Sequence, residues 1–200
     1  MAFRIEEAKQ SILRKMHDLQ KTHQRLLIAI DGRCGAGKTT LAESLRDSFD
    51  CNIIHMDHFF LRPEQRTAER MSEPGGNVDY ERFLSDVLMP IKQNLAFSYS
   101  SYDCRRQVMS PLIEIDKKDI NIIEGTYSCH PKFIEHYDLR VFLSIDRDEQ
   151  MRRIRNRADE ATAKIFENKW IPLEETYFKA CHVKENCEIF FHCNTTGSDV

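Results

Sequence analysis

The chain has 200 residues with 29 Lys or Arg against 32 Asp or Glu, a formal net charge of -3, and this charge argues against the basic surface of a nucleic-acid binder. Its length fits one domain, which we place over 1–200. Seven cysteines, an odd number with no signal peptide ahead of them, and the lack of an apolar run long enough to span a bilayer predict a cytoplasmic protein that does not enter a membrane.

The first predicted element is a helix over 1–23, because Ile5, Ala8, Ile12 and Met16 recur at helical spacing. A strand over 26–30 and a helix from about Lys38 then enclose a glycine-rich loop. Four further short apolar runs predict strands over 51–56, 120–123, 139–145 and 187–191. Strands that alternate with helices indicate a parallel sheet in a three-layer α/β domain.

The loop sequence IAIDGRCGAGKTT, residues 28–40, fits the phosphate-binding pattern G-x-x-x-x-G-K-[ST]. Its glycines let the backbone amides approach phosphate oxygens, and Lys38 would reach the β- and γ-phosphates of ATP. The Thr39 hydroxyl would ligate Mg²⁺. We therefore assign nucleotide binding to Gly32, Arg33, Cys34, Gly35, Ala36, Gly37, Lys38, Thr39 and Thr40.

Magnesium also needs an acidic partner near a neighbouring strand end. Glu124 directly follows the apolar run of the predicted strand 120–123, so we assign it to the metal together with Thr39. The alternative is a surface carboxylate at the end of a strand. The small Gly125 that follows suggests a crowded site and favours the metal.

The reaction class follows from what the chain lacks and what it has. A GTPase would need N-K-x-D, and the near match at Asn168-Lys169 has no aspartate. A small-molecule kinase needs a carboxylate that accepts the proton of the attacking hydroxyl. Asp57 in HMDHFF follows the second predicted strand, at the edge where open α/β sheets bind ligands, and is our candidate base.

Five arginines and no lysine lie in DRDEQMRRIRNR, residues 146–157. Arg152 and Arg155 share one helical face, and Arg153 and Arg157 share another. A run of charges can be a solvated face. Arginine forks suit phosphate oxygens, however, so we predict a lid over 147–160 that closes on the triphosphate.

These motifs resemble, in order and spacing, the uridine kinase and phosphoribulokinase branch of the P-loop kinases. Beside the phosphate loop, HMDHFF, NVDYERF, YDCRRQ, NIIEG and the arginine segment each have a counterpart there. The resemblance implies a five-stranded parallel sheet, ATP with Mg²⁺, and phosphorylation of a primary hydroxyl such as the 5′-OH of a nucleoside. The resemblance gives Lys38 and Asp57 catalytic roles and places Arg152 and Arg155 on the phosphates. It implies that the acceptor is contacted by Asp57, Asp79, Tyr102 and Arg106.

Two of these implications stay open on the sequence. Asp79 also reads as a cap or turn carboxylate after Gly75-Gly76. The rings that read a pyrimidine in uridine kinases are replaced by Val78 and Cys104, and the histidine by Gln107. The acceptor could therefore be another nucleoside, a ribosyl compound or a pantothenate-like alcohol.

The competing function is a nucleotide-binding regulatory or adaptor ATPase that has no small acceptor. The sequence decides neither between ATP and GTP nor between a monomer and a homo-oligomer. Cys34 lies among the loop amides, where a thiol pKa can be lowered, and our hypothesis is that it oxidises with loss of activity.

Overall fold

The short apolar runs form strands in the computed structural model, which describes residues 2–193 and the side chains of 5–193. The strands are β1 (Leu26–Gly32), β2 (Cys51–His55), β3 (Phe97–Asp103), β4 (Val108–Ile115), β5 (Ile120–Glu124), β6 (Leu139–Ser144) and β7 (Ile189–His192). The helices are α1 (Ala2–Leu19), α2 (Lys38–Arg46), α3 (Ala68–Ser72), α4 (Tyr80–Phe83), α5 (Met89–Lys92), α6 (Arg147–Arg155), α7 (Glu160–Ile165) and α8 (Ile171–Ala180). No helix within this part of the chain is long and apolar enough to cross a membrane.

Five strands form one parallel sheet in the order β2-β5-β1-β6-β7. The central strand β1 is buried along its whole length, because it pairs on both edges and is covered on both faces. The expected five-stranded parallel sheet is therefore confirmed. Because all five strands run in one direction, the residues that follow β1, β2 and β5 meet at a single edge of the sheet.

Alternate residues of β1 pack into two hydrophobic cores, one on each face of the sheet. Ile28 and Ile30 face α1 and α2, where Ile12 and Leu41 are fully buried. Leu27 and Ala29 face the opposite layer, which includes α4 and α8. Helices on both faces of the sheet make the predicted three-layer α/β fold, and the apolar stripe of α1 packs as its spacing predicted.

The strands β3 and β4 form a separate antiparallel hairpin that the sequence pattern did not predict. Polar and aromatic residues alternate in β3, and neither strand contains a long apolar run, because much of the hairpin is exposed. The hairpin packs beside the end of β2, where His58 Nδ1 lies 3.1 Å from the Tyr99 hydroxyl. It thereby borders the edge of the sheet at which the phosphate loop lies.

The predicted lid segment, 147–160, forms α6, the following turn and the first residue of α7. A small apolar cluster joins α6, α7 and α8, made of Met151, Ile154, Ala163 and Ile171, with Cys34 of the phosphate loop packed against it. These helices are therefore fastened to the loop through apolar contacts. The structure does not show them as a lid.

Candidate active site

The phosphate loop leaves β1 and ends at the first turn of α2, as the motif predicts. Gly37 precedes the helix with a φ of 101°, a left-handed conformation that glycine adopts without steric cost. The buried Lys38 ammonium donates to the carbonyl oxygens of Gly32 at 2.7 Å and Arg33 at 3.1 Å. The amides that begin α2 and this cation lie together, a combination that binds anions.

The two predicted metal ligands are in direct contact. The Thr39 hydroxyl donates to Glu124 Oε1 at 3.1 Å, and His55 Nδ1 hydrogen-bonds the same oxygen at 2.5 Å. The hydrogen bond to Glu124 raises the pKa of His55, and burial opposes this shift. A Cβ at Gly125 would lie 2.9 Å from Met56 Cβ, so the crowding inferred at this strand end is present.

Asp57 belongs to the 3₁₀ turn Met56–Phe59 that follows β2. Its carboxylate reaches solvent, and no described residue hydrogen-bonds it. Protein atoms nevertheless surround it on its other sides, and this loss of hydration raises its pKa; Lys38 opposes the shift and Glu124 adds to it. Asp57, Lys38 and Glu124 therefore lie close enough to interact electrostatically, as a catalytic base beside bound phosphates would.

Asp79 has the contacts of a helix cap. Its Oδ1 accepts the Arg82 N–H at 3.1 Å at the start of α4, and its Oδ2 accepts from Gln65 Nε2 at 2.9 Å. The residue is only 2% exposed. Both carboxylate oxygens of Asp79 already have partners within the protein. These contacts agree with the cap role that the sequence offered as the alternative to acceptor binding. Its neighbour Asn77 is also buried, but its Nδ2 has no described partner.

Tyr102 and Arg106 lie on the β3–β4 hairpin but in different environments. Tyr102 is buried in β3, and its hydroxyl has no partner among the described residues. Arg106 is exposed at the hairpin tip, and its N–H donates to Asp103 Oδ1 at 3.0 Å. Burial raises the pKa of the neighbouring Cys104 thiol, and Asp57 is among the charges that act on it. The tip thus approaches Asp57, while the Arg106 side chain lies at the surface.

The arginines that reach the phosphate loop are not the two expected from the resemblance. Arg152 is exposed and pairs with Glu149 at 2.6 Å, and Arg155 is also exposed. Arg153 instead donates to the Gly35 carbonyl oxygen at 2.9 Å, and Arg157 Nη2 lies 2.8 Å from Cys34 Sγ. The face of α6 that carries Arg153 therefore contacts the phosphate loop. Arg157, in the turn that follows α6, contacts the same loop.

Helix α8 supplies two site residues that the sequence analysis did not assign. Glu174 Oε2 accepts the Cys34 N–H at 3.1 Å, and the Glu175 carboxylate accepts two hydrogen bonds from Arg33 at 2.6 and 2.9 Å. The available signal was the acidic pair just after Pro172, which marks the first turn of a helix. Arg33 therefore faces α8, and nothing in its contacts directs it to a phosphate.

Asp31 is a further residue that the sequence analysis missed. It is fully buried, and its carboxylate accepts the N–H groups of Gly32, Tyr127 and Cys129 at 2.6, 3.2 and 2.8 Å. Burial raises its pKa, and hydrogen bonds from the Cys129 N–H, the Tyr177 hydroxyl and the Gly32 N–H oppose the shift. A charged residue inside the apolar strand IAIDG was the signal. It ties the start of the loop to the turn after β5.

The hypothesis that the phosphate loop lowers the pKa of the Cys34 thiol is wrong. Its pKa is raised, first by burial and then by Glu174, while Lys38 and Arg157 act in the opposite direction. A thiol with a raised pKa holds less thiolate and reacts more slowly with peroxide. The surroundings of Cys34 therefore disfavour its thiolate form, and its oxidation stays a prediction.

No protein-family model matches the chain. It is similar to the uridine kinase of Brevibacillus brevis, with 28% identity over 138 residues that cover 64% of this chain and 64% of that kinase. It is also similar to nicotinamide riboside kinase 2 of Mus musculus, with 31% identity over 143 residues that cover 66% of this chain and 68% of that protein.

Among solved structures, the fold matches that of a protein from Bacillus stearothermophilus described as a possible uridine kinase. The TM-score is 0.69 at 20% identity, and the match covers 95% of this chain and 98% of the other. At this identity the likeness concerns the fold alone.

Proposed function

Because this chain belongs to the uridine kinase-like branch of the P-loop kinases, we propose that it transfers the γ-phosphoryl group of ATP to a primary hydroxyl of a nucleoside or another ribosyl compound. The observation that carries the proposal is the Asp57 carboxylate, which has no hydrogen-bond partner among the described residues and lies within electrostatic range of Lys38 and Glu124. A carboxylate so placed can accept the proton of the attacking hydroxyl.

The nucleotide would be held by the phosphate loop, residues 32–40. Lys38 is buried within it, and its position beside the first turn of α2 supports binding of the β- and γ-phosphates. The Thr39 hydroxyl and the Glu124 carboxylate are adjacent oxygen ligands of the kind that Mg²⁺ prefers, so this pair fits the ion. When bound, magnesium neutralises the charge that develops on the phosphate oxygens.

Asp57 would act as the general base. Its raised pKa supports this role, because a base transfers protons most effectively when its pKa approaches the operating pH. Arg153 and Arg157 would hold the loop in shape through Gly35 and Cys34, as their contacts with those residues support. The roles of Arg152 and Arg155 on phosphates remain a proposal from the resemblance.

The acceptor would lie between the 3₁₀ turn after β2 and the β3–β4 hairpin. The buried Tyr102 hydroxyl, which has no described partner, supports a polar ligand on this side. The relatives act, by their names, on uridine and on nicotinamide riboside, which are both ribosides. Val78, Cys104 and Gln107 favour a riboside whose base is recognised less by stacking than in uridine kinases.

The test is ADP release from MgATP with a panel of uridine, cytidine, nicotinamide riboside, other ribosyl compounds and pantothenate. We expect at least one riboside to raise the rate above an acceptor-free control, and Asp57→Asn to abolish most of that increase. Binding of ATP with no stimulation by any compound would instead favour the regulatory ATPase. Stimulation that survives in Asp57→Asn would remove Asp57 from the mechanism.

A further inference from the structure

Helix α8 places a carboxylate on the phosphate loop itself. Glu174 is 5% exposed, and its Oε2 accepts the backbone N–H of Cys34 at 3.1 Å. The amides of such a loop are the donors that cradle nucleotide phosphates. An ionised carboxylate at this amide would compete with a phosphate oxygen for the same donor and would repel the charge of the triphosphate.

The helix that carries Glu174 is firmly held. Ile171, Tyr177 and Phe178 are buried, and the Tyr177 hydroxyl donates to Asp31 Oδ2 at 2.8 Å. The next residue, Glu175, pairs with Arg33 through two hydrogen bonds. Withdrawal of α8 from the loop would break all of these contacts, so the conflict with phosphate is relieved more easily by a change at the carboxylate itself.

Several charged or titratable groups act on or with the Glu174 carboxylate. Burial, Asp31 and Asp57 favour its neutral form, whereas Lys38 and the Cys34 N–H favour the ionised form. Arg33, the Tyr127 hydroxyl and the Cys34 thiol also interact with it. The balance raises the pKa of Glu174 to about 7, with burial as the largest cause. Protonation near neutral pH therefore requires little free energy.

We propose that Glu174 is a ligand of the nucleotide phosphates and that it takes up one proton when they bind. A neutral carboxyl group keeps its carbonyl oxygen as an acceptor for the Cys34 N–H and gains an O–H that donates to a phosphate oxygen. The proton comes from solvent and forms one O–H bond, and no redox step is involved. The inference rests on the proposed binding of ATP.

The experiment is calorimetric titration of the full chain with a non-hydrolysable ATP analogue and Mg²⁺. At pH 8, two buffers of different ionisation enthalpy give the number of protons taken up per analogue bound. We expect nearly one proton for the unaltered chain and a marked loss of uptake in Glu174→Gln. Glu185→Gln, the same change at an exposed carboxylate outside the site, should retain the uptake.

The affinity gives a second readout. If only the protonated form binds, the dissociation constant should rise about fivefold from pH 7 to pH 8, in proportion to the lost neutral fraction. Glu174→Gln should change less than twofold over this range. Binding by the unaltered chain without proton uptake would overturn the inference even if Glu174→Gln failed to fold, and unchanged uptake in a folded Glu174→Gln would do the same. A chain that binds no analogue at all would overturn the proposed function, and this inference with it.

Discussion

The Tyr177 hydroxyl donates a 2.8 Å hydrogen bond to Asp31 Oδ2, joining residues that lie 146 positions apart in the chain. Both are fully buried, and the bond connects α8 to the last residues of β1. Asp31 in turn accepts the N–H groups of Gly32 and Cys129. One carboxylate therefore fastens the start of the phosphate loop to α8 and to the turn that follows β5.

Removing this hydroxyl should destabilise the protein. Tyr177→Phe leaves the buried Asp31 without one of its donors, and a hydrogen bond to a charged group contributes about 1.5–3 kcal/mol. We expect a loss of this size in the free energy of unfolding, measured by urea denaturation. Tyr137→Phe is the matched control, because the buried Tyr137 hydroxyl has no described partner and its removal should cost little. Equal effects of the two changes would contradict the role of Asp31 as the acceptor.

The base assignment predicts a separation of binding from turnover. Asp57→Asn keeps the size of the side chain but cannot accept the proton. It should lower kcat with the best acceptor by about 10²–10⁴-fold. The affinity for ATP, measured by calorimetry, should change little. A large loss of ATP affinity with unchanged kcat would show that Asp57 acts on the nucleotide rather than on the acceptor.

The same carboxylate predicts the acid side of the pH profile. A general base works in its ionised form, so activity falls as the pH drops through its pKa. Loss of hydration by the surrounding protein raises the pKa of Asp57, so the acid limb of kcat/KM should lie above the value of about 3.9 typical of an unperturbed aspartate. Rates measured from pH 4 to pH 8 test this, and a kcat/KM that does not fall as the pH approaches 4 would contradict the raised pKa.

The arginines of the predicted lid can be ranked by their contacts. Arg153 bonds the carbonyl oxygens of Gly35 and Cys193, and its fork also reaches Glu149. Hydrogen bonds from a charged donor contribute about 1.5–3 kcal/mol, so Arg153→Gln should raise the KM for ATP about tenfold. Arg152→Gln, on the exposed face, tests the competing assignment, and from its contacts we expect it to raise the KM less than twofold. The reverse ranking would favour the assignment that the resemblance gives.

His130 should make the fold sensitive to acid. Its ring stacks on Tyr80 with centroids 5.0 Å apart, and burial lowers its pKa to about 4, with Arg70 and Lys132 adding to the shift. An unfolded histidine titrates near 6.5, so between pH 6.5 and about 4 the unfolded chain binds a proton that the folded chain does not. Stability therefore falls as the pH is lowered through this window.

A substitution isolates this contribution. At about 1.4 kcal/mol for each unit of pKa, His130→Phe should remove about 2–3 kcal/mol of the loss of stability between pH 6.5 and pH 4. Urea denaturation at both pH values gives the difference. His17→Gln, an exposed position, should leave it unchanged. An identical loss in His130→Phe and the unaltered chain would assign the acid sensitivity to other groups.

The local spacing of residue types was enough to predict the strands of the sheet and the phosphate loop. The apolar runs at β1, β5 and β6 are short because both faces of a parallel sheet are covered, and the glycines that follow β1 belong to one continuous motif. The position of Asp57 also followed from sequence, since the ends of parallel strands share one edge. The β3–β4 hairpin could not be predicted from the sequence, because half-exposed strands contain no long apolar run.

Only the tertiary structure decided which side chains meet the loop. The spacing of arginines on α6 gave two faces, but the face that packs depends on the apolar residues Met151 and Ile154 that turn the helix toward its neighbours. The contact of Glu174 with Cys34 joins residues 140 positions apart. Sequence periodicity determines which residues share a face, whereas the partner of that face is determined by how separate elements pack, and no local pattern records that choice.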